Sequence, residues 1–135
     1  MKIAVIGSRA FNDWTLMSRE LAKIHITQEK EPYCIKEIIS GGAEGADTLA
    51  ERFAKTFEIP LKVFKADWND MTEPCKIKVN KIGREYNALA GFKRNTEIIN
   101  RCDMVVAFWD GKSHGTKDSI EKAKSQNKKI LIIKF

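Results

Sequence analysis

The residues that could do chemistry most readily lie in a glycine-rich segment, residues 40–47, with the sequence SGGAEGAD. The segment follows an apolar run that ends at Ile39 and precedes a stretch of helical periodicity that begins at Ala46. Glycines let the backbone pass close to a bound group, and the free N–H groups of a helix's first turn attract negative charge. This order of strand, glycine loop and helix predicts a phosphate site. The alternative is a tight turn after the strand, which uses the same residue types without binding a ligand.

Three more segments carry side chains that suit a nucleotide. Gly7, Ser8 and Arg9 follow the first apolar run, Trp68 follows the third, and residues 109–116 (WDGKSHGT) follow the fourth. Arginine pairs bidentately with phosphate, and tryptophan offers a flat face to a base. Because open α/β sheets bind ligands at the carboxyl ends of their strands, these segments predict one shared pocket. Its predicted ligand-binding residues are Gly7, Ser8, Arg9, Gly41, Gly42, Ala43, Gly45, Asp47, Trp68, Trp109, Asp110, Ser113, Gly115 and Thr116.

Several of these residues also have structural interpretations. Asp47 suits either a ribose hydroxyl or the stabilisation of a helix's first turn, and Asp110 suits either a ribose hydroxyl or a tight turn. Trp68 and Trp109 suit packing at the core or its rim as well as a base. His114 has no Ser, Cys or carboxylate at a convincing spacing, so the sequence does not predict a hydrolytic triad.

Short apolar runs alternate along the chain with stretches of helical periodicity. The pattern predicts strands over residues 3–7, 35–40, 60–64, 104–108 and 130–133, and helices over residues 14–24, 46–57, 89–99 and 116–125. Such alternation predicts an α/β fold with a doubly wound, mainly parallel five-stranded sheet and helices on both faces. Residues 71–86, where Cys75, Ile77 and Val79 alternate with polar residues, predict a small hairpin or flap, either over the pocket or as a solvated arm.

Helix signals place two elements more closely. Asn12 or Asp13 precedes the first helix and is the expected N-cap. Leu89, Phe92, Thr96 and Ile99 recur at helical spacing and indicate the third helix.

The chain has 135 residues, of which 43% are hydrophobic and 31% are charged, and one domain over residues 1–135 is expected. No apolar run approaches the roughly 20 residues that span a bilayer, and no signal-peptide pattern opens the chain, so a cytoplasmic protein without a membrane partner is expected. The net charge of +6 suits a nucleotide or nucleic-acid partner, or solubility alone, because the basic residues are spread along the chain. Cys34, Cys75, Cys102 and the two histidines lack metal-ligand and disulfide spacing, so neither a metal nor a cofactor is expected.

Together, these segments resemble the SLOG superfamily, named for the SMF/DprA and LOG proteins, and most closely its small single-domain YspA/YpsA-related branch. The matching segments are residues 7–11 (GSRAF), 40–47, 66–68 (ADW), 90–95 (AGFKRN), 108–111 (FWDG) and 113–116 (SHGT). The resemblance implies a Rossmann-like sheet whose loops bind nucleotides, nucleotide-derived ligands or nucleic acid. It also implies that Arg94 and Asn95 belong to the ligand site, since the DprA branch is similar at an Arg-Asn pair.

The sequence departs from LOG-type phosphoribohydrolases at their catalytic glutamate, where it has Ser119. Glu121 lies two residues later and points roughly 200° away on a helix. We therefore expect a module that binds a nucleotide or nucleotide-derived ligand, as a sensor or sequestering protein. One alternative is a hydrolase of an N-glycosidic or phosphoester bond, with Glu44, Asp47 or Asp110 as the carboxylate. A second is binding of single-stranded DNA in the manner of DprA, and a homo-oligomer is compatible with each.

Overall fold

The computed structural model of the chain describes residues 1–26 and 35–135. Its strands are β1 (Lys2–Gly7), β2 (Glu37–Ser40), β3 (Leu61–Val63), β4 (Ile77–Val79), β5 (Glu85–Asn87), β6 (Met104–Trp109) and β7 (Lys129–Lys134). Its helices are α1 (Trp14–Ile26), α2 (Ala46–Thr56), α3 (Ala90–Arg101) and α4 (His114–Ser125). Five strands form a parallel sheet in the order β3-β2-β1-β6-β7, and β4 pairs with β5 in a separate antiparallel hairpin. The predicted Rossmann-like α/β fold with a small hairpin is confirmed.

The central strand β1 is buried on both faces because helices cover both sides of the sheet. Ile3 and Val5 pack in the core beneath α1 and α2, and Ala4 and Ile6 pack in the core beneath α3 and α4. Alternate residues of a strand point to opposite faces, so a continuous apolar run is what such a strand requires. Pro60 directly precedes β3, and β3 lies at one edge of the sheet. An edge strand tolerates a proline at its start, because proline cannot donate a hydrogen bond to a neighbouring strand.

The strand order reverses between β1 and β6. From β1 the chain moves outward to β2 and β3, and from β6 it moves outward in the other direction to β7. The loops that follow β1 and β6 therefore diverge and leave a crevice at the carboxyl ends of the two strands. This topology alone places a candidate ligand site at that crevice.

A buried asparagine anchors the β4–β5 hairpin. The backbone N–H of Asn87 donates to the carbonyl oxygen of Trp68 at 2.7 Å, and its side-chain nitrogen donates to the carbonyl oxygen of Asp70 at 2.9 Å. Its side-chain oxygen accepts from the N–H groups of Lys76 and Leu89 at 3.1 and 2.9 Å. The residue is fully buried, and its amide ties the hairpin to the segment that follows β3.

Individual helix and cysteine predictions have different outcomes. Of the two expected N-caps, Asp13 caps α1, because its Oδ1 accepts the N–H of Leu16 at 2.9 Å.

Phe92 is exposed on α3, where its ring lies 5.7 Å from Nζ of Lys122. Cys34 lies outside the described residues, and burial raises the pKa of the Cys102 thiol.

Across residues 1–26 and 35–135, no helix combines the length and apolarity that a membrane crossing requires. In the same part of the chain, no cluster of three or more His, Cys, Asp or Glu side chains has an arrangement that could hold a metal ion.

Gly45 allows α2 to begin directly against the loop that follows β1, and its substitution tests that contact. Gly45 has a φ of 76°, and a Cβ there would lie within 2.5 Å of the carbonyl oxygens of Ser8 and Arg9. Gly83 has a φ of 83° but open space around it. We expect Gly45→Ala to lower the free energy of unfolding by roughly 2–4 kcal/mol, and Gly83→Ala by about 1 kcal/mol, in urea titrations. Equal losses would contradict the close approach.

Candidate functional site

A cleft of about 480 Å³ opens at the carboxyl ends of β1, β2 and β6. Twelve of the predicted ligand-binding residues line it. They are Gly7, Ser8, Arg9, Gly41, Ala43, Asp47, Arg94, Asn95, Asp110, Ser113, Gly115 and Thr116. Segments that are far apart in sequence thus form one concave surface.

On one wall of the cleft, Asp110 organises the loop that joins β6 to α4. Its Oδ1 accepts the backbone N–H groups of Lys112 and Ser113, both at 2.8 Å. These two bonds lower the pKa of Asp110 to about 2, and the bond from the Ser113 N–H has the larger effect. Oγ of Ser113 lies 2.9 Å from Oγ of Ser8 and 3.1 Å from Oδ2 of Asp110. Asp110 is therefore an ionised turn residue with a chain of hydroxyl groups beside it.

On the opposite wall, Asp47 occupies a place that a phosphate was predicted to take. Its Oδ2 accepts the backbone N–H of Ala43, a donor of the glycine loop, at 3.1 Å. The side chain is almost fully buried, and burial raises the pKa of Asp47 to about 6, although Ala43 and Arg94 favour its ionised form. Asp47 therefore occupies the Ala43 N–H, and the glycine loop has one free donor fewer than its sequence predicts.

Arg94 supplies a fixed positive charge between the two walls. Its Nη1 donates to the carbonyl oxygen of Gly41 at 2.6 Å, and its Nε donates to Oδ1 of Asn95 at 3.0 Å. The pKa of Arg94 is lowered by burial and, to a smaller extent, by the positive charge of Arg9, while Asp47 raises it. The guanidinium remains charged, and both burial and the neighbouring arginine make an added anion favourable.

Asn95 connects Arg94 to the start of α4. Its Nδ2 lies 3.3 Å from the carbonyl oxygen of Gly115 and 3.2 Å from Oδ2 of Asp118, and it donates to both. The same Oδ2 of Asp118 accepts a hydrogen bond from Nζ of Lys122 at 2.6 Å. The Arg-Asn pair therefore sets the distance between the glycine loop and the N-terminus of α4.

The N-terminus of α4 points unused donors at the cleft. Ser113 occupies the N-cap without a capping side-chain bond, so the amide groups of the first turn and their partial positive charge remain available. Thr116 and Ser119 are 5% and 2% exposed, and both line the cleft. Within the described residues, neither hydroxyl group has a hydrogen-bond partner. In the same part of the chain, every side-chain oxygen or nitrogen that is fully enclosed does have a partner, so these two hydroxyl groups are not fully enclosed. Both hydroxyls therefore face the open cleft, where the oxygen atoms of a ligand would satisfy them.

Five of the predicted residues do not line this cleft. Gly42 lies against Val63 and Lys65, Gly45 lies beneath the Ser8 backbone, and Glu44 is exposed. Trp109 donates its Nε1–H to the carbonyl oxygen of Ser113 at 3.2 Å and so supports the loop from behind. Trp68 lies in a separate groove with Tyr86.

Sequence reasoning missed four residues of the lining, namely Ile6, Ala10, Ile98 and Ser119. Helical spacing carried a signal for two of them. Ser119 follows Thr116 by three positions and Ile98 follows Arg94 by four, so each lies on the same helix face as a predicted residue. Ile6 directly precedes Gly7 and Ala10 directly follows Arg9, so both adjoin predicted residues.

A parallel sheet of this order, with a polar cleft at the strand reversal, defines a Rossmann-like α/β protein. The family model for the YspA, cpYpsA-related SLOG family (YAcAr) matches residues 1–70, and the chain belongs to that family. The Gene 61 protein of Mycobacterium phage D29 is 28% identical over 141 residues, which cover 99% of this chain and 95% of that protein.

Three solved structures share the fold. DNA processing protein A (DprA) from Streptococcus pneumoniae has a TM-score of 0.64 and 21% identity, and the match covers 97% of this chain and 49% of that chain. DprA from Helicobacter pylori has a TM-score of 0.63 and 19% identity, with coverages of 98% and 64%. The structural genomics target TM1055 has a TM-score of 0.60 and 17% identity, with coverages of 96% and 71%. The chain thus spans about half the length of the first DprA chain and less than two thirds of the second.

Asp47→Asn tests the buried carboxyl group through the pH dependence of stability. Because the pKa of Asp47 is about 6 in the folded protein and ordinarily 3.8, the folded state holds the proton more tightly. The contribution of Asp47 to stability is therefore fully present below about pH 4 and is lost as pH rises through 6. Asparagine keeps the oxygen that accepts from Ala43 but never ionises. Relative to wild type, the variant should gain roughly 2–3 kcal/mol between pH 4 and pH 7 in urea titrations.

Asp47→Ala serves as the control, because it removes both the charge and the acceptor. It should show the same trend with pH from a lower starting stability, by about 1 kcal/mol. A difference between Asp47→Asn and wild type that stays constant from pH 4 to pH 7 would show that the carboxyl group titrates normally.

Proposed function

We propose that the cleft binds a nucleotide or nucleotide-derived ligand by its phosphoryl group, and that the protein acts as a sensor or sequestering module. The observation that carries the proposal is the position of Arg94. Its Nη1 and Nε are held by Gly41 and Asn95, and within the described residues its Nη2 has no hydrogen-bond partner. A guanidinium fixed in this way loses little freedom when it binds phosphate.

Charge at the cleft supports an anionic ligand. Arg9 is exposed, and in the described part of the chain its guanidinium has no ion-pair partner, while its charge acts on Arg94. The first turn of α4 adds the partial positive charge of the helix dipole and the Thr116 hydroxyl. Two arginines and a helix N-terminus at one concave surface are the groups that bind phosphate oxygens in proteins.

Hydroxyl and carboxylate groups next to the arginines suit a ribose. Ser8 and Ser113 lie beside Asp110, whose oxygen atoms retain acceptor sites after their bonds to the loop. A carboxylate can accept about four hydrogen bonds, so Asp110 can hold its turn and also accept from a ribose hydroxyl. Membership of the SLOG family also supports a nucleotide or nucleic-acid partner.

Arg94→Gln tests the proposed phosphoryl contact. With ribose 5-phosphate and AMP as probes in isothermal titration calorimetry, we expect the variant to bind each about 10-fold to 100-fold more weakly, because a charge-assisted hydrogen bond is lost. Arg19→Gln removes an equivalent charge from the exposed face of α1 and should leave both affinities unchanged. Equal binding by Arg94→Gln and wild type, or no binding of either probe to wild type, would refute the proposal.

A second candidate function is hydrolysis, which the two carboxyl groups of the cleft favour. The pKa of Asp47 is raised to about 6 and that of Asp110 is lowered to about 2. A carboxyl pair with separated pKa values can supply a general acid and an anion that stabilises an oxocarbenium-like transition state. Ser119 stands where LOG-type enzymes have their catalytic glutamate, so the chemistry would have to run through Asp47 and Asp110. Glu44, the third carboxylate candidate, is exposed and lies outside the cleft.

Release of free base or phosphate from a panel of nucleoside monophosphates tests the hydrolase hypothesis. If Asp47 is the acid, Asp47→Asn should lower kcat by at least about 100-fold, since general acid catalysis contributes that much. The pH profile of the wild type should fall above pH 6, where Asp47 loses its proton. Turnover that Asp47→Asn retains in full would exclude this role, and no turnover in wild type would leave binding as the sole function.

The structural likeness to DprA supports one more activity. DprA from Helicobacter pylori has a single-stranded DNA binding mode of its own. Here, the net charge of +6 favours polyanions. If single-stranded DNA binds through phosphate contacts, the affinity for a labelled oligothymidylate must fall steeply between 50 and 200 mM salt, by at least about 100-fold for several contacts. No binding at low salt would exclude this activity while leaving the small-ligand proposal intact.

A further inference from the structure

A second concave surface lies on the hairpin and is separate from the cleft. This hairpin groove has a volume of about 460 Å³ and is lined by Trp68, Asn69, Asn80, Arg84, Glu85 and Tyr86. The Trp68 side chain is 42% exposed, and its ring meets that of Tyr86 edge to face, with centroids 6.2 Å apart and an interplanar angle of 73°. An indole this exposed in the lining of a groove offers a flat apolar face to a ligand.

The polar lining of the hairpin groove has donors and acceptors to spare. Oδ1 of Asn80 accepts the N–H groups of Ile82 and Arg84 at 3.0 and 2.9 Å, which orients the amide and leaves its nitrogen available. Nη2 of Arg84 donates to Oδ1 of Asn69 at 3.4 Å, so the Asn69 amide is oriented in the same way. Glu85 adds a carboxylate acceptor. Amide donors and a carboxylate around an aromatic face suit a planar ring with hydrogen-bonding groups on its edge.

The hairpin groove is rigidly placed relative to the rest of the fold. The buried Asn87, which ends β5, accepts and donates the hydrogen bonds that tie the hairpin to the segment from Trp68 to Lys76. Tyr86 and Glu85 directly precede Asn87 in the same strand. The backbone that carries the ring and carboxylate of the groove is therefore tied to the Trp68 segment.

Gly91, which lines neither surface, lies between the hairpin groove and the cleft. A methyl group on Gly91 would lie 3.4 Å from Cη2 of Trp68 and 3.8 Å from Nη2 of Arg94. The tip of the indole and the free nitrogen of the guanidinium thus flank the same glycine, where no side chain separates them. One ligand can contact the arginine with an anionic group and the indole with a ring.

We propose that the hairpin groove binds the planar heteroaromatic base of the ligand whose phosphoryl group is held at Arg94. The inference rests on the proposed function and adds to it the class of ligand, a nucleoside phosphate whose base stacks on Trp68. The edge of the base pairs with the Asn69 and Asn80 amides and with Glu85. The hairpin, which the sequence pattern left open as a flap or a solvated arm, is then the base-binding part of the protein.

Calorimetric titration of Trp68→Ala with ribose 5-phosphate, AMP, GMP, CMP and UMP tests this inference. Wild type should bind at least one nucleotide about 10-fold more tightly than ribose 5-phosphate, because stacking of a base on an aromatic side chain contributes that much. Trp68→Ala should lose that advantage and bind ribose 5-phosphate as wild type does. Trp68→Phe, which keeps an aromatic face, should restore most of it.

Two further variants separate a lost contact from a disturbed hairpin. Ile82→Ser changes an exposed residue at the hairpin turn, outside the groove, and should leave all affinities unchanged. Gly91→Leu places a side chain between the indole and Nη2 of the guanidinium, so it should weaken nucleotide binding by about 10-fold more than it weakens the binding of ribose 5-phosphate.

The outcomes distinguish this inference from the proposed function. If ribose 5-phosphate binds and depends on Arg94, but every nucleotide binds no more tightly than it does, the base site is refuted and the phosphoryl site stands. The same conclusion follows if Trp68→Ala weakens ribose 5-phosphate and the nucleotides equally. If neither ribose 5-phosphate nor any nucleotide binds, the proposed function itself fails.

Discussion

The hydrogen bonds of Ser8 are the constraint on which the arrangement of the cleft depends. Its N–H donates to the carbonyl oxygen of Phe108 at 3.0 Å, and its carbonyl oxygen accepts the N–H groups of Phe11 and Ala46 at 3.1 and 3.3 Å. Its Oγ accepts the N–H of Asp110 at 3.4 Å. The residue is 2% exposed, so water cannot replace these partners at low cost. One buried serine therefore joins the ends of β1 and β6 to the start of α2.

Much of the fold could be predicted because burial on both faces of a sheet leaves a strong signal in sequence. Ile3 to Ile6 and Met104 to Phe108 are unbroken apolar runs, and strands of that kind need helices on both sides. The rotation of α3 could not be predicted in the same way. Phe92 has the spacing of a core residue, yet Ile98 and Ile99 are buried and Phe92 lies beside Lys122 on the surface. Helical periodicity identifies an apolar face but does not choose between two neighbouring faces when both carry apolar residues.

For the candidate site, local sequence predicts where the loops lie but not where their side chains point. Glycine loops after apolar strands mark the edge of the sheet where a ligand would bind, and most residues predicted there do line the cleft. Side-chain direction depends on contacts across long stretches of sequence. One hydrogen-bond partner of Arg94 is Gly41, 53 residues away in sequence. The indole N–H of Trp109 donates back to the carbonyl oxygen of Ser113. No pattern within either loop specifies those bonds.

The role of the glycine loop changes once its donors are traced. A phosphate cradle needs free amide groups, but the Ala43 N–H is bonded to Asp47, and ionisation of Asp47 is costly because the carboxyl group is buried. A dianionic phosphate placed against the loop would meet a carboxyl group instead of a row of donors. The favourable place for negative charge is therefore the other side of the cleft, where Arg94, Arg9 and the first turn of α4 converge. In this arrangement Gly41 positions Arg94 through its carbonyl oxygen, so the loop contributes to the charge of the cleft through the arginine that it holds.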